Sequence, residues 1–98
     1  MMEFLNLCNI SQEVIDKVIA NNPESLVFDV SCNGQECIKI IEYMKELGIK
    51  CIDELLINYL NVFLMDFEDF LKKISKLNIP YFVECLNNDI CTIEFIYE

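Results

Sequence analysis

The sequence predicts an all-α fold of about two and a half stacked helix pairs joined by short 3₁₀ or extended tracts, and three observations lead there. Residues 15–29 recur at 52–66 without a gap: Ile15/Ile52, Asp16/Asp53, Val18/Leu55, Ile19/Leu56, Asn21/Asn58, Leu26/Phe63, Val27/Leu64 and Asp29/Asp66. Apolar residues fall at helical spacing in each copy, and capping residues stand where the stripes begin and end. A recurring unit of this length marks stacked architectures, in which one unit cannot bury its apolar face without a neighbour. With 98 residues, two Gly, two Pro and 54% apolar composition, the chain reads as one globular domain, 1–98, with units at roughly 11–50, 51–79 and 80–98.

The first helix is expected to open near Ser11 and to stop at Asn22-Pro23, because Val14, Ile15, Val18 and Ile19 make one stripe and proline cannot continue a helix. Cys37, Ile40, Ile41, Met44 and Leu47 make the stripe of its partner. Asn33 and Glu36 precede that stripe in a capping-box pattern, and Gly48 is placed to close it in the left-handed conformation. In the second copy Ile52 opens one helix and Asp66 with Asp69 opens the next, while Asn78 stands where Gly48 stood. The second stripe recurs in register as Cys37/Phe67, Ile40/Phe70, Ile41/Leu71, Met44/Ile74, Leu47/Leu77 and Ile49/Ile79. This offset is seven residues shorter than the first, so the first copy carries an insertion, VSCNGQE, at 30–36.

Phe82, Cys85, Leu86 and Asn88 repeat Ile52, Leu55, Leu56 and Asn58, which makes the last segment a third, incomplete unit. A competing reading takes SLVFDV and NVFLMD as strands and YFVECLNNDICTIEFIYE as a C-terminal β-hairpin, giving an α+β domain. The strand propensity of Thr92, Ile93, Phe95, Ile96 and Tyr97 favours it. The shortness of the tracts and the repetition favour helices.

The order N-P-x-x-L-x-x-D (Asn22, Pro23, Leu26, Asp29), then L-G-I (Leu47, Gly48, Ile49), then I-D-E-L-L (Ile52, Asp53, Glu54, Leu55, Leu56) resembles the repeat of the mitochondrial transcription termination factor family. The resemblance spans about 11–79 and is carried by caps and core leucines. It implies repeats of two α-helices and a short 3₁₀ turn stacked into a curved solenoid, whose basic concave side in that family holds duplex nucleic acid. This chain departs from the pattern in Tyr59-Leu60, which replaces the second Asn-Pro step, in the insertion, in its small number of units, and in its missing cations. The resemblance therefore carries over the architecture and not nucleic-acid binding.

Seventeen acids stand against seven lysines, with no arginine or histidine, for a formal net charge of −10. Phosphate backbones are held by Lys and Arg that displace counterions, so direct nucleic-acid binding is not expected. Without histidine the common Ser-His and Cys-His nucleophile pairs and the Cys/His zinc patterns are absent. The six cysteines contain no C-x-x-C pair and read as small core residues. Cys51, beside Lys50 at a helix start, is weighed as a reactive thiol against a boundary or core role. Asp66, Glu68 and Asp69 read as the acidic first turn of a helix, which the macrodipole favours, rather than as an acid-base pair. No catalytic residue, cofactor or metal is expected, and the chain reads as a non-enzyme. No apolar run approaches the about 18 residues that span a bilayer, and no leader pattern opens the chain, so a cytoplasmic protein is expected.

The function this suggests is a small acidic protein-interaction module whose partner has a basic surface. Asp53, Glu54, Tyr59, Asp66, Glu68 and Asp69 are the candidate partner-binding residues, because acids accumulate between Cys51 and Leu71 with no base among them. Aromatic groups supply interface energy and charge steers the encounter. The alternative is a nucleic-acid-mimicking inhibitor of the phage type that fills the basic groove of a nucleic-acid enzyme. A further expectation is self-association through the incomplete C-terminal unit, with Phe82, Ile93, Phe95 and Ile96 left uncovered.

Overall fold

Ser11 opens the first long helix: its backbone is extended and its hydroxyl accepts the Val14 N–H at 3.3 Å, which satisfies one of the end donors. The helix it caps, α1 (Gln12–Asn21), stops where Asn22 turns extended before Pro23. In the computed structural model, which describes residues 1–97, α1 is preceded by a 3₁₀ segment, η1 (Glu3–Cys8), and followed by α2 (Glu24–Cys32) and α3 (Gly34–Leu47). Next come α4 (Ile52–Asn58), a 3₁₀ segment η2 (Leu60–Leu64) and α5 (Phe67–Ile74). The chain ends in α6 (Ile79–Asn88) and a third 3₁₀ segment, η3 (Ile90–Tyr97).

No strand occurs among the described residues, so the α+β alternative and its C-terminal hairpin are overturned. The reason lies in the spacing of the isoleucines. Ile93 and Ile96 are both buried, and residues three apart point to opposite faces of a strand but eclipse on one face of a 3₁₀ helix. SLVFDV likewise lies inside α2, where Val27 and Val30 face inward together, and NVFLMD falls largely in η2.

Two expected caps behave differently. Asn33 joins α2 to α3 with φ −104° and ψ 26°, not the extended backbone that a capping box uses. Its side chain reaches across to the Leu64 carbonyl at 2.8 Å, while Glu36 Oε1 accepts the Phe67 N–H at 3.0 Å. The pair thus serves η2 and the start of α5 rather than its own helix. Asn78 is no C-cap: α5 ends at Ile74, and Asn78 opens α6 by accepting the Tyr81 N–H at 3.2 Å, with Pro80 in the first turn where a missing N–H costs nothing. Gly48 does close α3 as expected. It sits at φ 86°, and Gly48 and Ile49 donate to the Lys45 and Met44 carbonyls, each at 3.1 Å.

The elements share one apolar core. α1 packs on α4, α2 on η2, α3 on α5 and η1, and α6 on η3. Phe63, Phe70, Met44, Ile40, Ile41, Leu55 and Leu56 are fully buried between them, and no polar or charged residue is buried among the described residues. Asparagines tie the edges. Asn22 donates to the Ile57 carbonyl at 3.1 Å, and Asn87 both accepts the Lys50 N–H at 2.8 Å and donates to the Gly48 carbonyl at 3.0 Å.

Candidate interaction surface

α2 presents two faces. Val27 and Val30 point into the core, while Ser25, Phe28, Asp29 and Cys32, spaced i, i+3, i+4, i+7, form an exposed stripe. Phe28 is 56% exposed. α1 ends on the same side, where Ile19 is 42% exposed although its helix buries Ile15 and Val18. With Met1, 60% exposed, these side chains flank an open groove of about 550 Å³ whose other lining residues are Glu24, Ser25, Val27 and Asp29. No lysine lines it, and the one cation among the lining residues, the Met1 ammonium, is paired with Glu3. Carboxylates therefore set the potential over an apolar floor.

The residues singled out from the sequence lie elsewhere. Asp53 and Glu54 are exposed in the first turn of α4, and Asp66, Glu68 and Asp69 are exposed at the start of α5. α4 packs against α1 and η2, α5 against α3 and η3. No hydrogen bond from these five side chains and no ion pair to them occurs among the described residues. Tyr59 is half-buried, and its hydroxyl lies 3.5 Å from the Sγ of Cys91, in the first turn of η3. That contact, then burial and the thiol beside it, push the phenol up to about 12. Its ring packs partly against the core and stays partly exposed.

The C-terminal expectation needs correction too. Phe82, Ile93 and Ile96 are buried, because η3 folds back on α6, and of the four residues only Phe95 is exposed, at 52%. Phe95 and Tyr81 border a smaller pocket of about 170 Å³ with Leu77, Asn78, Phe82, Cys85 and Thr92.

Three of the thiols are raised above their ordinary value. Burial pushes Cys37 up to about 12, and burial followed by the Glu42 carboxylate raises Cys8. Cys51 is also raised, chiefly by burial, and its Sγ donates to the Leu86 carbonyl at 3.7 Å, which overturns the reading of a lowered, reactive thiol and leaves the boundary role. No group of three or more potential metal ligands gathers among the described residues, and no helix is long and apolar enough to cross a membrane.

The sequence sets Ile19 in the stripe of Val14, Ile15 and Val18 and Phe28 in the apolar tract SLVFDV. Helical phase separates Phe28 from the core: Val27 and Val30 define the inner face of α2, and Phe28 falls off it by about 100°, whereas Ile19 shares a face with buried Ile15 and lies at the open C-terminal end of α1. No family model, curated protein or solved structure matches the chain.

Proposed function

We propose that the protein is a small, non-catalytic protein-interaction module of about two and a half stacked helical units, acting in the cytoplasm on a partner with a basic surface. Asn21, Asn58 and Asn88, at matching places in the three copies, each donate to the carbonyl four residues back, at 2.7, 3.2 and 3.0 Å, which supports the repeat. The bonds Asn33 to Leu64, Asn22 to Ile57 and Asn87 to Gly48 join segments 31, 35 and 39 residues apart, about one unit each, and also support it. The order α4, η2, α5 agrees with a repeat of two helices and a 3₁₀ turn like that of the mitochondrial transcription termination factors. On this reading the insertion at 30–36 lengthens the middle element from the five residues of η2 to the nine of α2.

The observation that carries the functional reading is the state of the carboxylates. Among the described residues the lysine–carboxylate pairs are Lys17–Glu13 at 3.5 Å and Lys39–Glu36 at 3.0 Å, so Asp53, Glu54, Asp66, Glu68 and Asp69 stay exposed and without a cation. A basic partner gains those interactions without first breaking internal ones. The exposed free thiols Cys32 and Cys91 suit a reducing compartment. The test is a tagged capture from source-cell lysate treated with nuclease and eluted in rising salt. A basic protein released by a few tenths molar salt is expected, and its affinity should fall in a variant carrying Asp53→Asn, Glu54→Gln and Asp66→Asn. A partner indifferent to salt and to those changes would sink the reading.

The nucleic-acid-mimicking inhibitor is the second reading, favoured by the same unpaired acids fixed at the starts of α4 and α5. It requires the captured partner to be a nucleic-acid enzyme and duplex DNA or RNA to compete with the chain for it. Self-association through Phe95 and Tyr81 is a third outcome, read as a doubled mass by light scattering and lost in Phe95→Ser.

A further inference from the structure

Resting on the reading of the chain as a protein-interaction module, we infer that the groove between α1 and α2 receives the apolar side chains of a cationic amphipathic helix. Single exposed apolar residues are ordinary on a soluble protein and need no explanation. Met1, Ile19 and Phe28 are different because they converge on one space of about 550 Å³, a volume in the range of binding clefts rather than of surface roughness. Two or three side chains spaced i, i+3 and i+4 along a helix fill such a trough, which is the usual way an amphipathic helix lies in an apolar groove.

Charge selects among the occupants an apolar groove could take. Glu24 and Asp29 line it, neither is paired, and the nearby ammonium of Met1 is already neutralised by Glu3. An anionic lipid surface or a nucleic acid is repelled by that rim. A neutral acyl chain would bury the apolar wall but leave both carboxylates with nothing to bind. A helix with Lys or Arg flanking its apolar stripe satisfies wall and rim together. The pocket beside Phe95 lacks this selectivity, since its polar lining is the neutral Asn78 and Thr92.

The probe is a fluorescent helical peptide with a leucine stripe on a lysine background, titrated by anisotropy, beside a leucine–glutamate counterpart and a lysine peptide without leucines. Only the leucine–lysine peptide should bind well. Phe28→Ser should weaken it about tenfold, the loss of roughly one well-placed anchor. Glu24→Gln with Asp29→Asn should flatten its salt dependence, while Leu7→Ser, at a still more exposed apolar residue outside the groove, should change nothing. Phe28 is exposed, so its removal leaves the fold intact. Equal binding of the lysine-only peptide, or indifference to Phe28→Ser, overturns the groove. If a captured partner binds Phe28→Ser normally yet is lost when Asp53, Glu54 and Asp66 are neutralised, the groove proposal fails and the module reading stands. If the peptide binds in the groove but no basic protein is captured, the module reading fails and the groove stands.

Discussion

Gly48 is the residue at which backbone geometry alone decides the outcome of a substitution. Its φ of 86° lies in the left-handed region, and an added Cβ would meet no atom within 4 Å. Space is therefore no objection, and the cost of Gly48→Ala is the conformational one, about 1 kcal/mol. Gly48→Asn should cost less, because asparagine tolerates the left-handed region better than alanine does. Urea denaturation of the two variants checks this; a cost in Gly48→Ala near that of a core truncation would mean that the α3–α4 turn depends on more than φ. Gly34 is the opposite case. A Cβ there would come within 3.3 Å of Phe4 Cδ1, so any helix propensity gained at the start of α3 is set against displacement of that ring.

Between elements, Glu36 does what the sequence assigns to a helix's own cap. Its carboxylate accepts the first N–H of α5, and that bond, followed by the Lys39 ammonium, holds its pKa below the ordinary value of 4.5. A depressed carboxyl stabilises the fold above its ordinary value, and that contribution is lost as pH falls through the lower value of the folded state. Glu36→Gln keeps an acceptor and loses the charge, whereas Glu36→Ala loses both. Urea midpoints at neutral pH should therefore fall in the order parent, Gln, Ala, and below pH 4.5 the gap between parent and Gln should close. A gap that stays constant across the acid range would mean that the charge contributes nothing. The same residue shows what can be read from a sequence. α1 and α3 were legible because a lone apolar stripe stands between local stop signals, Ser11 and Pro23 for one, Gly48 for the other. The Asn33/Glu36 pattern was legible as capping but not as capping of another helix, since the target lies 31 residues away and is brought there by the packing of α3 on α5. η3 was legible as helical only through repetition, because its local propensity argues for a strand and burial of Ile93 with Ile96 overrides it. The acids of α4 and α5 could be placed on the surface by charge alone. The groove could not be found, because Ile19 and Phe28 have core-forming side chains, and only the phase of α2 turns Phe28 outward while Ile19 lies at the uncovered end of α1.

At the scale of the whole molecule, the balance is between a core that buries no polar or charged residue among the described residues and a surface on which acids outnumber bases by 17 to 7. Folding gathers a net charge of −10 onto one small body, and like charges destabilise the compact state more than the expanded chain. Opposing this are Lys17–Glu13 and Lys39–Glu36, surface pairs of a kind that contributes at most about 1 kcal/mol each. Salt weakens both effects, but the repulsion has many members and the attraction few. Raising NaCl from about 0.05 to about 0.5 M shrinks the screening length from roughly 14 to roughly 4 Å, enough to decouple most surface carboxylates. The thermal midpoint should rise by a few degrees, which for a domain of this size corresponds to about 1 kcal/mol. A midpoint that falls with salt would mean that the few ion pairs outweigh the excess acid. The surface would then be internally compensated, and a basic partner would find little charge left to satisfy.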